Sequence, residues 1–239
     1  LMTVEYKPYP ASFYHMDKLK SLTRFRDSLV RQRSRQLFDL TNVLDKVFPE
    51  FKPFFKGKFS VTALYILANY PTPEKIANMN ARSYEVLRKR SSGKFTMIQF
   101  AQLKTLAKNT VGSSDDYLLQ QMEVLLDIYT QLDAKIEEVE AEIIECIIGI
   151  DPPILSIPGI GAMSAAVILS EFGDFAKYAN PSKMLSFAGL EPGYFQSGQS
   201  EHTGHMVKHG SSHLRYALLN CCLPLVKNEP TFVAYYAKN

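Results

Sequence analysis

The 239-residue chain contains few features that would indicate a secreted or membrane protein. Its cysteines number three, at Cys146, Cys221 and Cys222, which is too few for a disulfide framework and indicates a reducing compartment. No apolar run approaches the roughly 20 residues of a membrane span, and the first residues lack a signal-peptide pattern. These absences predict a cytoplasmic protein without membrane contact.

The charges are divided unevenly along the chain. Residues 1–110 contain 20 Lys and Arg against 8 Asp and Glu, a net charge of +12. Residues 111–150 contain 1 against 10, a net charge of −9, and the remainder contains 6 of each. Because a positive field displaces phosphate counterions, we expect a nucleic-acid partner mainly at the N-terminal third.

A long basic helix is predicted from about Asp17 to Val47, with an apolar stripe of leucines and many cations in its first half. The planar fork of arginine binds two phosphate oxygens at once, so Arg24, Arg31 and Arg35 are candidate nucleic-acid contacts. The alternative is a charged face that is simply solvated. We favour binding because few acids lie near these cations along the chain.

The acidic segment has an unbroken heptad pattern. Its apolar positions are spaced alternately by four and three residues, which predicts a helix from about Ser114 to Ile148. We expect a coiled-coil arm for homo-oligomerisation, and the alternative is a long helix packed against its own domain. The seam consists of Leu118, Met122, Leu125, Tyr129, Leu132, Ile136, Val139, Ile143 and Cys146.

A Pro-Gly-x-Gly turn lies at Ile157 to Gly161, between two apolar runs. Gly159 and Gly161 can take positive φ angles, and Gly159, Ile160 and Gly161 would expose backbone amides at the start of the next helix. Such amides favour an anion, for example a DNA phosphate. This pattern predicts a helix-hairpin-helix, and its alternative is an ordinary αα-hairpin.

Further motifs follow the turn in a specific order. They are Glu171-Phe-Gly-Asp, Pro181-x-Lys, Ala188-Gly-Leu-x-Pro, Ser197-Gly198, and Lys208-x-Gly-Ser followed by Leu214-Arg215. With the Pro-Gly-x-Gly turn, they resemble the C-terminal domain of the insertion-sequence transposases of the "one-ten" (DEDD, guide-RNA-directed) family. The resemblance covers nearly the whole chain, more weakly before Val111.

The resemblance implies DNA transposition and recombination with Ser197 as the nucleophile on a DNA phosphate. Lys208 and Arg215 would be DNA-contacting cations, and the basic helix would help to hold a structured guide RNA. The family's four carboxylates hold Mg²⁺ in an RNase H-like domain that precedes the basic helix. We expect this chain to begin after that domain, and therefore to lack strand-cleaving activity alone.

Two other functions are alternatives to DNA transposition. A non-catalytic helix-hairpin-helix module would bind nucleic acid without Ser197 chemistry, and a purely structural coiled-coil protein would bind none. Zinc is also a rival interpretation, because His202, His205, His209 and His213 lie close together. Since glycines interrupt the run and no Cys-x-x-Cys is present, we assign no metal ligand and expect these histidines near phosphate.

The sequence predicts a mainly α fold. We expect a basic helix in residues 1–50 that is the remnant of an RNase H-like domain's end, a helical connector in 51–113, a coiled-coil helix in 114–149 and a helix-hairpin-helix transposase domain in 150–239. Within the last, Ser197 is expected on a long loop, and two short apolar runs predict a small strand pair around Tyr194-Phe195 and Met206-Val207.

Overall fold

The structure is a computed structural model that describes residues 11–197 and 200–238. It describes the backbone alone at residues 11–15, 192, 194–197 and 200–203. In these ranges the fold is mainly α, as predicted, with eleven α-helices and one pair of strands. No helix in the described ranges is long and apolar enough to cross a membrane.

Two helices are much longer than the others. Helix α1 spans Ala11–Val47 and helix α7 spans Asp116–Ile150. The predicted long helices are therefore confirmed, although α1 begins earlier than the charge pattern suggested. The short helices between them are α2 (Phe51–Phe54), α3 (Val61–Asn69), α4 (Pro73–Ala77), α5 (Ala81–Arg90) and α6 (Met97–Lys108).

The C-terminal part consists of short helices around one hairpin of strands. A 3₁₀ turn at Pro153–Ser156 follows α7. The remaining elements are α8 (Ala162–Phe172), a 3₁₀ turn at Phe175–Lys177, α9 (Pro181–Ala188), β1 (Pro192–Ser197), β2 (Ser200–Met206), α10 (Ser212–Asn228) and α11 (Pro230–Lys238).

The chain divides into two compact units. Unit 1 contains Leu1–Ser28 and Glu137–Asn239, and unit 2 contains Leu29–Ile136. Helices α1 and α7 each contribute residues to both units. The bounds of the four segments expected from the sequence remain a prediction. Unit 1 combines two segments that are distant in sequence, whereas unit 2 is continuous.

The core of unit 2 is built by α2 to α6 together with the parts of α1 and α7 in this unit. Phe48, Phe51, Ile66, Leu87 and Leu103 are almost completely buried there. Each of the helices α3 to α6 begins with a side chain that accepts a hydrogen bond from the backbone, which satisfies one otherwise unpaired amide. These caps are Ser60, Thr72, Asn80 and Thr96, and Pro73 directly follows Thr72 at the first position of α4.

The heptad seam is partly covered by the chain itself. In unit 2, Leu118 and Met122 belong to the hydrophobic core. In unit 1, Val139 and Ile143 are also buried. At these positions the structure agrees with the alternative interpretation, a long helix packed against its own chain, rather than a seam that waits for a second molecule.

Helix α7 also supplies acids to the basic helix within each unit. Arg26 donates two hydrogen bonds to Glu140 in unit 1, at 2.8 and 2.6 Å. Arg33 forms an ion pair with Asp133 in unit 2. The basic and acidic segments therefore neutralise each other in part. This pairing weakens the sequence argument that the basic helix must have an anionic partner, because that argument considered only acids nearby in sequence.

The predicted strand pair is confirmed as an antiparallel hairpin of β1 and β2. Pro192 lies opposite Met206, Phe195 opposite His202, and Ser197 opposite Ser200, with an irregularity between Pro192 and Tyr194. The expectation of a long loop around Ser197 is wrong, because Ser197 is the last residue of β1. The aromatic residues of β1 favour a strand, and the pairing of β1 with β2 continues as far as Ser197.

Candidate functional site

The Pro-Gly-x-Gly turn leads into α8 as expected, but its two glycines differ. Gly159 has a φ of +95°, where glycine is favoured. Gly161 is the N-cap of α8 with a φ of −83°, so the expected positive φ at this position is wrong. The chain before the turn forms only the 3₁₀ turn Pro153–Ser156, which leaves the first arm of the predicted helix-hairpin-helix short.

The surroundings of the two glycines differ as well. A Cβ on Gly159 would lie 2.6 Å from the Cβ of Pro224, so this glycine permits close packing of the turn against α10. A Cβ on Gly161 would meet nothing within 4 Å. Gly159 thus has a structural reason to be glycine. Gly161 has no such reason in the fold, and its backbone is exposed at the start of α8.

Behind the turn, small residues bring α8 close to α10. Ala165 and Ala166 are fully buried, as are Leu214 and, nearly so, Ala217 on α10. Alanine side chains allow a short distance between helix axes, and Ile168 and Phe172 fill the space on either side. The turn is therefore held on a rigid pair of helices.

The base of the β1–β2 hairpin is formed by two interlocked turns. Gly189 ends α9 with a φ of +68°, and Gly210 precedes α10 with a φ of +95°. A Cβ on Gly189 would overlap the carbonyl oxygen of His209, and a Cβ on Gly210 would overlap the carbonyl oxygen of Phe187. Each glycine admits the backbone of the other turn, so the Ala-Gly-Leu-x-Pro and Lys-x-Gly-Ser motifs form a single structure.

Hydrogen bonds strengthen this base. Arg215 Nη1 donates to the carbonyl of Ala188 at 3.2 Å. The amide of Val207 donates to the carbonyl of Glu191 at 3.0 Å, and Ser186 Oγ donates to the Glu191 side chain at the same distance. Arg215 was predicted to contact DNA. In the structure its guanidinium fixes the Ala188–Gly189 turn, a role that charge alone did not reveal.

Ser197 lies at the far end of β1 from this base. A strand advances about 3.3 Å per residue, so Ser197 lies roughly 16 Å along the strand from Pro192. The other member of the Ser-Gly pair, Gly198, lies outside the described residues. Lys208, a predicted DNA contact, is exposed directly before the interlocked turns, as are His205 and His209.

A buried carboxylate that the sequence analysis did not single out lies behind the interlocked turns. The side chain of Glu171, in the Glu-Phe-Gly-Asp motif, is 1% exposed. It accepts two hydrogen bonds from Arg24, at 2.8 and 3.1 Å, and Lys20 Nζ lies 3.7 Å away. An acid among the apolar residues that end α8 was the available signal, because buried acids require partners.

The environment of Glu171 favours its charged form. Burial acts to raise the pKa of the carboxyl, but hydrogen bonds from Arg24 and Ser211 and the charges of Lys20 and Arg24 lower it, and the net pKa is below the ordinary value. Ser211 is the N-cap of α10 and directly follows Gly210. Glu171 therefore links α1 and α8 to the interlocked turns within unit 1.

The three arginines proposed as nucleic-acid contacts have different settings. Arg24 lies in unit 1 and is engaged by Glu171, although its side chain remains 49% exposed. Arg31 and Arg35 lie on the part of α1 in unit 2, and both are exposed. Neither Arg31 nor Arg35 belongs to the unit that contains the serine hairpin. Their role in binding nucleic acid stays a prediction.

The histidine cluster does not converge on one point in the described structure. Nδ1 of His213 lies 3.2 Å from a carboxylate oxygen of Asp27, both in unit 1. The side chain of His202 lies outside the described set. In the described parts of the chain, no three His, Cys, Asp or Glu side chains are placed to hold a metal ion.

Comparisons with known proteins find similarity to transposases and to an insertion-element protein. Residues 151–237 match the family described as "Transposase IS116/IS110/IS902 family". The chain is 31% identical over 87 residues to the "Insertion element IS110 uncharacterized 43.6 kDa protein" of Streptomyces coelicolor, which covers 36% of this chain and 22% of that protein.

A second relative is the "Transposase for insertion sequence element IS1328" of Yersinia enterocolitica, 28% identical over 107 residues. This match covers 44% of the chain and 32% of the relative, so the chain corresponds to less than a third of either curated protein's length. Residues 151–237, which match the family, include the Pro-Gly-x-Gly turn, the serine hairpin and the interlocked turns. Residues 151–237 are therefore similar to the IS116/IS110/IS902 family of transposases.

Proposed function

We propose that residues 151–237 act on DNA during transposition and recombination, and that Ser197 is the nucleophile. The observation that supports this most is the placement of Ser197 at the end of a strand whose base is fixed by the interlocked turns. A positioned nucleophile needs a rigid support, because small displacements slow a group transfer greatly. The similarity of residues 151–237 to transposases supports DNA as the substrate.

The reaction is a phosphoryl transfer. Ser197 Oγ attacks a DNA phosphorus, a new O–P bond forms, and the bond from that phosphorus to one deoxyribose oxygen breaks. The serine proton passes to solvent or a nearby base, and the departing deoxyribose oxygen takes up a proton to become a hydroxyl. The product is DNA joined to the chain through a phosphodiester, which a second hydroxyl can later resolve with the energy of the bond conserved.

Serine is a weak nucleophile without activation. The family resemblance implies Mg²⁺ held by four carboxylates of an RNase H-like domain. The described residues offer no such group of donors. No step above is therefore assigned to a metal, and the test of the reaction supplies a carboxylate domain separately.

We assign the holding of DNA to the exposed turn of Gly159, Ile160 and Gly161 and to Lys208. The exposed backbone at the start of α8 suits a phosphate, and no side chain caps this helix. For the basic helix α1, contact with a structured guide RNA remains part of the proposal through Arg31 and Arg35. At Arg24, a phosphate would have to compete with Glu171.

Covalent capture tests the role of Ser197. The chain is incubated with labelled DNA carrying the element's ends, together with the carboxylate domain of a family relative, and adducts are resolved on a denaturing gel. The wild-type chain should form an adduct, and Ser197→Ala should form none. Ser200→Ala is the matched control, because Ser200 lies opposite Ser197 in the register, and its adduct should persist. An adduct that survives Ser197→Ala contradicts the assignment.

A second candidate is a non-catalytic nucleic-acid-binding module. It is favoured by the Gly161 backbone, which is open to solvent while the fold gives no reason for a glycine there. This candidate predicts DNA retention that falls steeply with salt and no adduct in the wild-type chain, even with the carboxylate domain present. The capture experiment therefore separates the two functions.

We also propose that the chain self-associates through α7. Because several seam positions are buried within the chain, the contact would use the outer face of α7 in unit 2, where Tyr117, Val124 and Ile128 are exposed. A charge at the centre of that face, as in Val124→Asp, should lower the mass measured by light scattering. An unchanged mass, or a monomeric wild type, contradicts this contact.

A further inference from the structure

Unit 2 contains two copies of the same helix–turn–helix. In the first, α2 is followed by a turn at Phe55–Lys58 and then by α3; in the second, α5 is followed by a turn at Ser91–Lys94 and then by α6. The sequences Gly57-Lys-Phe-Ser60 and Gly93-Lys-Phe-Thr96 are nearly identical, and the backbone turn and the helix cap of the first recur 36 positions later in the second.

The backbone hydrogen bonds of the two turns match one by one. The amide of Gly57 donates to the carbonyl of Lys52 at 2.8 Å, and the amide of Gly93 donates to that of Arg88 at 2.8 Å. The preceding residue is left-handed in both, with a φ of +54° at Lys56 and +51° at Ser92. Both are Schellman turns. Glycine usually occupies the left-handed position of such a turn, but here Lys56 and Ser92 occupy it, each directly before a glycine.

The turns also lead into the next helix in the same way. Ser60 Oγ accepts from the amide of Ala63, and Thr96 Oγ1 accepts from the amide of Gln99, each at 3.2 Å. Since the hydroxyl side chains cap both helices, the lysine of each Gly-Lys pair lies two positions before the N-cap residue of the next helix. Lys58 and Lys94 thus have equivalent places in the two copies.

Aromatic stacking places the two turns side by side. The rings of Phe55 and Phe95 are stacked with centroids 6.3 Å apart, and Phe54 meets Phe95 edge-on at 6.5 Å. Phe55 directly precedes Lys56, and Phe95 directly follows Lys94. The cations of both turns therefore share one surface, which we call the twin-turn surface. It comprises Lys56, Lys58, Arg88, Lys89, Arg90 and Lys94, all exposed.

This surface has a dense charge of one sign. Residues 51–60 contain three Lys and Arg and residues 86–96 contain four, and neither segment contains an Asp or Glu. Glu85, just outside, lies 4.0 Å from Arg88, and Arg90 stacks over the ring of Tyr65 at 4.0 Å. Among the residues that the structure describes, Lys56, Lys58 and Lys94 form no ion pair.

Helix electrostatics account for only part of this charge. Cations in the last turn of α5 are favoured by the negative end of the helix dipole, which explains Arg88, Lys89 and Arg90. Lys58 and Lys94 precede the positive ends of α3 and α6, where a cation is disfavoured, and neither helix has an acid in its first turn. Helix electrostatics therefore do not explain the lysine that recurs in both copies.

We propose that the twin-turn surface binds the phosphodiester backbone of a nucleic acid. Charge complementarity selects the partner, because exposed lysines and arginines with few nearby acids neutralise phosphates and release their counterions. The surface reads no base, since its elements are turns bearing flexible cations, so it would hold any sequence. This inference concerns unit 2 and does not depend on Ser197 or on the reaction at the hairpin.

The test compares two double variants of the whole chain with the same loss of charge. Lys58→Gln/Lys94→Gln removes the equivalent lysines of the two turns. Lys75→Gln/Lys108→Gln removes two other exposed lysines of unit 2, on α4 and α6. Affinity for a fluorescent DNA duplex, an RNA duplex and an anionic phosphatidylserine vesicle is measured from 50 to 200 mM salt, and melting temperatures confirm folding.

The twin-turn variant should bind the DNA duplex, the RNA duplex or both more weakly than the wild type. The slope of log affinity against log salt should fall by about 1 for each lysine removed. The control variant should keep the wild-type slope, and the arm with the larger loss identifies DNA or RNA as the partner. Equal losses in both variants, unchanged binding of both duplexes, or a loss confined to the vesicle would each overturn the proposal.

Discussion

Arg24 and Glu171 form a doubly hydrogen-bonded ion pair, although 147 positions separate them in the sequence. The pair joins α1 to the end of α8 in unit 1, and Ser211 extends it to the interlocked turns that support the serine hairpin. Because the carboxylate is buried and the guanidinium is half exposed, loss of the arginine leaves a charge with little solvent to replace its partner.

Removal of Arg24 should destabilise unit 1 for this reason. Arg24→Met retains much of the apolar stem and should lower the free energy of unfolding by about 2 kcal/mol, less than for a fully buried pair because solvent reaches the arginine. Urea unfolding measures the change, and Arg35→Met, at an exposed site on the same helix, should change it by less than about 0.5 kcal/mol. Similar small effects for both variants would refute a structural role for Arg24.

The lowered pKa of Glu171 predicts a pH dependence of stability. Its folded-state pKa lies below the ordinary value of 4.5, so the stabilisation is fully present above about pH 4.5 and is lost as the pH falls through the folded-state pKa. Glu171→Gln removes this titration. The difference in unfolding free energy between the wild type and Glu171→Gln should therefore shrink from pH 6 to pH 3, and a constant difference would contradict the assignment.

Gly189 should be less replaceable than Gly173, another glycine with a positive φ. Gly189→Ala must displace the carbonyl of His209, whereas Gly173, with a φ of +65°, has nothing within 4 Å of a Cβ. Gly173→Ala should therefore cost the backbone strain alone, about 1–3 kcal/mol. Gly189→Ala should cost more, because the displaced carbonyl adds to the strain of its own positive φ. Hydrogen exchange at the amide of Val207 should also accelerate in Gly189→Ala, because this bond belongs to the hairpin base. Equal costs at both positions would argue against the interlocked turns.

Gly161 separates DNA contact from folding. A Cβ at this position meets nothing in the chain and its φ is ordinary, so Gly161→Ala should change the melting temperature little. If a phosphate approaches the backbone there, the added methyl group should weaken DNA binding severalfold. Gly159→Ala should instead destabilise the protein, because its φ is positive and Pro224 is close. Wild-type DNA affinity in Gly161→Ala would remove the turn from the proposed DNA-holding surface.

The sequence predicted features that depend on local patterns. The long helices α1 and α7 and the strand pair follow from periodicity and β propensity, which act over a few residues. The motif order also identified the family. Gly161 was misjudged because a glycine-rich turn does not reveal which glycine takes the positive φ.

Features that depend on distant contacts were missed. The partners of Arg24, Arg26 and Arg33 lie on helices more than 90 positions away, so local charge counts could not find them. The sequence around Arg215 could not reveal its structural role, because its hydrogen-bond acceptor, the carbonyl of Ala188, belongs to a different motif. The duplicated Schellman turns were visible as two Gly-Lys-Phe sequences, but only the stacked rings of Phe55 and Phe95 show that they share a surface.

The identity of the residue that becomes joined to DNA tests the central claim most directly. A wild-type adduct, formed with the carboxylate domain supplied, can be digested with nuclease and trypsin and the remaining nucleotide located by tandem mass spectrometry. The peptide between Lys183 and Lys208 contains both Ser197 and Ser200, and fragment ions distinguish them. We predict the nucleotide on Ser197. A nucleotide on Ser200, or on a residue outside the hairpin, would contradict the account.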